Sequence, residues 1–311
     1  MKSVCLISAI VLSMCASVVT ISVGAVADNV EKSVTQSALP ARSAISVTDD
    51  AKPLSCFVPK NMVVAAAVKR KTRAIPAATV PVPLVLVRSL VEPLTGMEFL
   101  PVPAGCFQMG VNSGELDAMP LHQVCLDAFF IGKYEVTQGQ WARIMGDQPS
   151  FFNSCGKNCP VDNVSWRDAQ DFISILNRLN GKNYRLLTEA EWEYACRSGG
   201  KTERFCGGLD VDTAAWYDRN SNSKPHPVGE KRPNGLGIYD MSGNVWEWVS
   251  DLYQSPLLNQ NIDGVLAENR RVMRGGSWYN DAKNVSSSLR AGDLPESRSI
   301  NLGFRIGYSA R

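Results

Sequence analysis

Apolar positions recur at helical spacing most clearly in one stretch, where Ala169, Phe172, Ile173, Leu176 and Leu179 form a single stripe. Ser165 with Asp168 makes the reciprocal pair of a capping box ahead of it, and Asn180-Gly181 closes it. The pattern therefore predicts an amphipathic helix between these two signals. Two further boxes, Thr137 with Gln140 and Thr188 with Glu191, mark two more helix starts. After the last of them Glu189, Glu191 and Glu193 fall at helical spacing and are expected to face solvent or cap the helix. Trp141, Trp166 and Trp192 read as core anchors. Elsewhere the apolar runs are short and broken by Gly, Pro, Asn and Asp, as in Phe129-Phe130-Ile131 and Arg271-Val272-Met273. Few helices among many loops and short strands predict an irregular, loop-rich α+β domain.

The two ends change this picture in different ways. Met1 and Lys2 precede an apolar run that closes on Ala25-Val26-Ala27 before Asp28, a basic n-region, an h-region and a small-residue cleavage site. Residues 1–27 are thus expected to be a signal peptide, leaving no transmembrane helix after cleavage. The alternatives are weaker: Ser, Thr and Gly dilute the run as an anchor, and Met14 stands where a lipoprotein needs a small residue before Cys15. Export to the periplasm or beyond follows. Residues 28–95 contain no Gly and no Trp, are rich in Ala, Val, Pro and Ser, and carry the basic cluster Lys69-Arg70-Lys71. Val80-Pro81-Val82-Pro83 suits neither a helix interior nor a central strand. This segment reads as a low-complexity, disordered tether, with addition of a strand from Leu84-Val85-Leu86-Val87 to the next domain as the alternative. All seven Trp lie from Trp141 onward, so the compact domain is expected over residues 96–311.

Net charge adds an exclusion. With 20% charged residues and a net charge of +2, the chain lacks the basic footprint of a nucleic-acid binder. The cysteines add a compartment: Cys106, Cys125, Cys155, Cys159, Cys196 and Cys206 lie in the domain of an exported chain and favour disulfides. Many pairings are possible; the preferred set joins neighbours across short turning loops, Cys106 with Cys125, Cys155 with Cys159 and Cys196 with Cys206. Zinc fits poorly, since His122 and His226 are isolated. Cys56 is left without a partner, free or used between molecules.

Chemistry-bearing motifs are scarce. A complete phosphate-cradling Gly-x-x-x-x-Gly-Lys-Ser/Thr loop, a Gly-x-Ser-x-Gly elbow and a His-Glu-x-x-His pair are all absent from the sequence. What the sequence does carry is a succession of blocks: Phe99-Leu100-Pro101-Val102-Pro103-Ala104-Gly105, Tyr134-Glu135-Val136-Thr137, Val164-Ser165-Trp166 and Leu187-Thr188-Glu189-Ala190-Glu191-Trp192-Glu193-Tyr194-Ala195. They continue with Asp240-Met241-Ser242-Gly243-Asn244-Val245-Trp246-Glu247-Trp248, Arg274-Gly275-Gly276-Ser277-Trp278 and Leu302-Gly303-Phe304-Arg305. In this order they resemble the formylglycine-generating enzyme, or sulfatase-modifying factor, family from about residue 96 to the C-terminus.

The resemblance implies a C-type lectin-like fold of the sulfatase-modifying factor type, with a surface groove near the C-terminal segment. It fixes no single activity, because the family includes enzymes, siderophore-maturation proteins and hypervariable binding proteins. Its formylglycine-forming members oxidise a substrate cysteine with oxygen on copper held by two thiolates, soft ligands suited to Cu(I). The matching positions here are Asn280 and Val285, and no Cys follows Cys206. Neither copper nor formylglycine formation is therefore expected. Trp246 and Ser277 match groove-lining positions, beside which Trp278, Tyr279, Asn280 and Asp281 would project; packing of the tryptophans in the core is the competing reading. The resemblance also places a structural calcium at Asp240, the backbone carbonyls of Gly243 and Val245, and Glu247, an oxygen set that suits that ion. A second family calcium position near Ala215, Trp216 and Asn220 matches poorly and names no ligand set.

The expectation is an exported, non-catalytic binding module whose partner is a peptide, a protein or a glycan. Two alternatives stay open: a periplasmic enzyme working without the cysteine pair, in oxidative maturation of a peptide natural product, and a structural envelope subunit. The C-terminal frame also looks like the hypervariable cassette of retroelement-diversified lectin-like proteins, a sub-case of binding.

Overall fold

The computed structural model describes residues 89–112, 118, 120–254 and 269–310. The leader, residues 28–88 of the tether, Cys56 and the Leu84-Val85-Leu86-Val87 run lie outside the described residues. Paired structure begins at Leu90, inside the stretch read as tether. Strands β1 (Leu90–Val91), β2 (Glu98–Val102), β5 (Phe129–Gly132), β6 (Arg185–Leu186) and β11 (Ile306–Ser309) form one antiparallel sheet, ordered β1-β2-β5-β11-β6. First and last strands of the domain thus meet in one sheet. Pro101 is tolerated in β2 because β1 reaches only Glu98 and Phe99, so no partner is waiting for the missing N–H on that side.

A second sheet, ordered β10-β7-β8-β9, contains β7 (Trp246–Leu252), β8 (Arg271–Arg274), β9 (Arg290–Asp293) and β10 (Leu302–Phe304), with β10 parallel to β7. A hairpin of β3 (Gly105–Met109) and β4 (His122–Leu126) stands apart and is stapled by the Cys106–Cys125 disulfide, whose residues face each other in register. Cys155–Cys159 and Cys196–Cys206 are also bonded. The expected pairing set is the one present.

Helix α1 (Gln138–Met145), α2 (Trp166–Asn180) and α3 (Glu189–Cys196) each start on the capping box read from the sequence, and α1 and α2 end on left-handed Gly146 and Gly181. A short α4 (Val211–Ala214) follows. Helix α2 buries Ala169, Phe172, Ile173 and Leu176, each of the larger three contributing about 2 kcal/mol. Leu179 departs from its expected place in the stripe: it is 60% exposed, on the final turn next to the Gly181 cap. In the core Trp141 stacks on Phe172 at 5.6 Å, and Phe304 meets Phe172 edge-on at 5.5 Å. Trp192 is fully buried, whereas Trp166 is half-buried beneath the guanidinium of Arg271 at 4.1 Å.

The acids of α3 correct a second expectation. Glu191 does close the capping box, but Glu189 and Glu193 are buried rather than solvated. Their four-residue spacing aims both at Arg274, which is fully buried and lies 2.6 Å from Glu193 Oε2. Burial is tolerated because each charge finds an opposite partner. Among the described residues no helix is long and apolar enough to cross a membrane.

Candidate functional site

The segment from Asp240 to Asn244 enters β7 through a turn in which Asp240, Gly243 and Asn244 all take left-handed backbone conformations. Gly243 is obligatory: a Cβ there would run into the Trp216 carbonyl. This turn brings Asp240 and Glu247 to one buried place, where Glu135, from the segment between β5 and α1, joins them. Glu135 accepts from Asn244 Nδ2 at 2.7 Å and from the Val245 amide at 3.1 Å. Asp240 accepts from the Gly229 amide through Oδ2, while Oδ1 is buried with no partner. Glu247 receives Arg305 on both oxygens, at 2.7 to 3.0 Å, and the Trp192 indole N–H at 2.7 Å.

One guanidinium therefore faces three carboxylates. Burial, then the charges of Asp240 and Glu247, push Glu135 well above the usual carboxylate range. Burial also pushes Asp240 up to about 6, against the pull of the Gly229 amide and Arg305. Arg305 is held above its ordinary value because Glu247 outweighs the burial that works against its charge. Of the expected calcium ligands, Asp240 has an oxygen to offer; Glu247 has both oxygens engaged. Among the described residues no three such side chains converge as a finished metal cage. The place carries an excess of negative charge and one orphaned oxygen, which fits a cation in charge and in donor type.

A different surface lies across the same turn. Phe151 meets Phe152 at 5.1 Å, Phe152 meets Trp278 at 5.4 Å, and Trp278 meets Tyr279 at 5.6 Å, every pair edge-to-face. The ends of this chain of rings are open to solvent: Phe151 is 64% and Tyr279 71% exposed. Its backbone is held from below by Asp162, which accepts the Phe151 amide at 2.7 Å and whose own amide is held by the Ser150 hydroxyl at 3.1 Å. Burial pushes Asp162 up to about 6, opposed by the Phe151 and Phe152 amides.

The six expected groove residues divide accordingly. Trp246, Ser277 and Trp278 are buried, the tryptophan Trp246 within the main core cluster. Tyr279 and Asp281 are exposed and Asn280 is half-exposed. Asp281 spends its carboxylate capping the 3-10 turn Ala282–Val285. At the two positions where the resemblance implied thiolates, Asn280 Oδ1 accepts from the Ser277 hydroxyl at 2.7 Å, and Val285 is fully buried against Phe205, Ala214, Ala215 and Tyr217. Gly276 has to be glycine for this turn, since a Cβ would strike the Asn284 carbonyl. Near the poorly matched second calcium position, Asn220 braces its own loop: it accepts from the Tyr217 amide and donates to the Ala215 carbonyl.

Residues 90–309 match the family model described as a sulfatase-modifying factor enzyme 1-like domain. The chain belongs to this family. The "Chaperone protein LppX" of Paenibacillus barcinonensis is 33% identical over 219 residues, covering 53% of this chain and 74% of that protein. The formylglycine-generating enzyme of Streptomyces coelicolor is 37% identical over 176 residues, 49% of this chain and 54% of the enzyme. Among solved structures, the "Treponema denticola variable protein 1" superposes with a TM-score of 0.62 at 29% identity, over 71% of this chain and 98% of that one. The lectin-like fold of the family is thus the fold of this domain.

Sequence reading missed Glu135, Arg305, Phe151, Phe152 and Asp162. Glu135 and Arg305 stood inside quoted family blocks as unremarked polar positions. The adjacent pair Phe151-Phe152, in a polar loop between Pro149 and Cys155, was the available signal for an exposed aromatic surface.

Proposed function

We propose that this chain is an exported, non-catalytic member of the family that binds a ligand on the aromatic surface ending in Phe151 and Tyr279. The observation that carries the proposal is the occupancy of the two thiolate positions. Val285 is packed away from solvent and Asn280 is hydrogen-bonded to Ser277, so these two positions offer no soft ligand pair to Cu(I). Exposed rings of this size on a rigid frame supply contact area at low entropic cost. The disulfide set and the leader read from the sequence support export. The test has two arms. A cysteine-bearing sulfatase-motif peptide incubated with the copper-loaded chain is expected to stay unconverted by mass spectrometry, and pull-down with the purified chain is expected to retain a ligand that Tyr279→Ala loses. Copper-dependent conversion above a heat-treated control would sink the non-catalytic reading.

A structural calcium belongs to the same proposal. Asp240, with the Gly243 and Val245 carbonyls, would hold it, and Glu247 would join only by releasing part of its hold on Arg305. The orphaned Asp240 oxygen and the excess of buried carboxylates support it. Its role is to neutralise and stiffen the turn that also positions the aromatic surface.

A further inference from the structure

Ser277 sits at the centre of a hydrogen-bond relay with a fixed direction. Its Oγ accepts from the Asn301 side-chain amide at 3.0 Å and from the Tyr279 backbone amide at 3.3 Å. Both lone pairs are then used, so the hydroxyl proton has to be donated, and it goes to Asn280 at 2.7 Å. The receiving atom of Asn280 is therefore its oxygen, not its nitrogen. Upstream, Ser299 donates to Asn301 Oδ1 at 2.6 Å, which continues the relay in the same direction. The relay Ser299, Asn301, Ser277, Asn280 leaves the Asn280 side-chain NH2 turned away from the relay on a half-exposed residue, next to the most exposed ring of the aromatic surface.

The charges around this donor are lopsided. The Asp218 amide donates to the Asn280 carbonyl, and the Ser221 hydroxyl donates to the Trp278 carbonyl, so the loop 218–224 borders the aromatic surface. The Cys155–Cys159 loop reaches the same border, since the Cys155 sulfur lies 3.6 Å from the Pro225 carbonyl. These loops and the neighbouring 3-10 turn expose Lys157, Arg219, Lys224 and Lys283 against Asp218 and Asp281. None of the four cations has an ion-pair partner among the described residues within 4 Å.

We infer that Asn280 is the oriented donor of a recognition site for acidic peptides carrying one aromatic or aliphatic anchor. A peptide carbonyl takes the Asn280 NH2, the anchor lies on Tyr279 and Phe151, and peptide carboxylates face Lys157, Arg219, Lys224 and Lys283. A peptide matches better than a neutral sugar because the outer ring at one end, Phe151, has no polar tip for a hydroxyl, and because the rim is cationic. This assignment rests on the binding role proposed for the aromatic surface.

The test is selection of a solid-phase library of acetylated, amidated heptapeptides with the purified chain, followed by titration of the most retained peptide. Enrichment of Asp or Glu together with one apolar side chain is expected. Asn280→Asp, which replaces the outward donor by an acceptor of the same shape, should weaken the best peptide about tenfold or more. The exposed double change Lys157→Glu with Lys224→Glu should abolish acidic enrichment while leaving the urea midpoint unchanged, which separates recognition from folding. Retention of neutral or basic sequences, indifference to Asn280→Asp, or saturable binding to a neutral glycan array with no peptide retained would overturn the inference. If Tyr279→Ala still abolishes retention in that case, the aromatic surface survives as the site and only its ligand class is wrong. Unchanged retention by Tyr279→Ala removes the surface reading itself.

Discussion

Two buried ionic centres both touch Trp192, one through Arg274 over its ring and one through Glu247 at its indole N–H, and they are built to opposite balances. Around Arg274, three guanidinium groups, Arg274, Arg197 and Arg290, meet two carboxylates, Glu189 and Glu193, and every carboxylate oxygen has a partner. Around Arg305, one guanidinium meets Glu135, Asp240 and Glu247, and an Asp240 oxygen has none. The first centre is a structural joint between α3, β8 and β9 in which every carboxylate oxygen is held, although two guanidinium nitrogens, Arg197 Nε and Arg274 Nε, are buried with no partner. The second is short of positive charge, and burial with mutual repulsion raises the pKa of Glu135 and Asp240. What separates the two networks is not burial, which is alike, but the ratio of charges and the orphaned carboxylate oxygen, the two features on which the proposed cation site rests.

Removing the cation of either centre should have the largest effect and is the first way to break the comparison. Arg305→Leu leaves three uncompensated acids and should lower unfolding free energy by about 4 kcal/mol or prevent folding, with Arg274→Leu costing a similar amount. The sharpening observation is pH. Arg305→Leu should recover part of its stability as urea unfolding is moved from about pH 8 to about pH 5, because its acids take up protons; Arg274→Leu should recover less.

The second prediction follows the proton directly. Asp240 is raised from 3.8 to about 6. Folding therefore favours its protonated form, and this contribution is complete below the ordinary value and lost as pH rises through about 6. Without calcium, the chain should lose about 3 kcal/mol of stability across that window from this one group. Asp240→Asn should flatten that part of the curve, measured by urea titration at several pH values in chelator. A wild-type curve already flat between pH 4 and 7 would erase the distinction between the two centres.

Calcium is next in size. At a hundredfold excess over its dissociation constant the ion should add roughly 2.7 kcal/mol, more at high pH than at low because the ligands have to be deprotonated. Asp240→Asn should abolish the response. Glu189, which sequence reading offered as a surface acid, is unsuitable as a control because it is buried against Arg290 and Arg274. Glu296, exposed and paired with exposed Arg167, serves instead. Identical melting with calcium and with chelator would leave the Arg305 centre metal-free.

The smallest effect tests the aromatic surface. Tyr279→Ala should change stability by no more than about 0.5 kcal/mol, since the ring is exposed, whereas Trp278→Ala should cost about 3 kcal/mol. A large loss from Tyr279→Ala in differential scanning calorimetry would mean that the ring holds the fold and is not free for a ligand.

Much of the fold was legible in the sequence because it is locally encoded. Capping boxes at Thr137, Ser165 and Thr188 work within four residues, and their helices start where the boxes stand. The three disulfides were legible for the same reason, each closing a short loop. Seven ordered blocks carried the family. The direction of residues 89–95 was not legible, since β1 is defined by a partner strand rather than by its own two residues.

The candidate site was legible only in its membership. The sequence alone determined, through the family resemblance it carries, that Asn280 and Val285 stand at the positions where thiolates would be needed. Only the tertiary structure decided that Glu189 and Glu193 turn inward, that Glu247 is already bound by Arg305, and that Phe151 joins Tyr279 in one aromatic surface. The physical reason is distance along the chain. Caps, turns and short disulfides are settled by neighbours, whereas a buried charge or an exposed ring is defined by partners more than fifty residues away, as Glu247 is with Trp192 and Arg305, which no local pattern records.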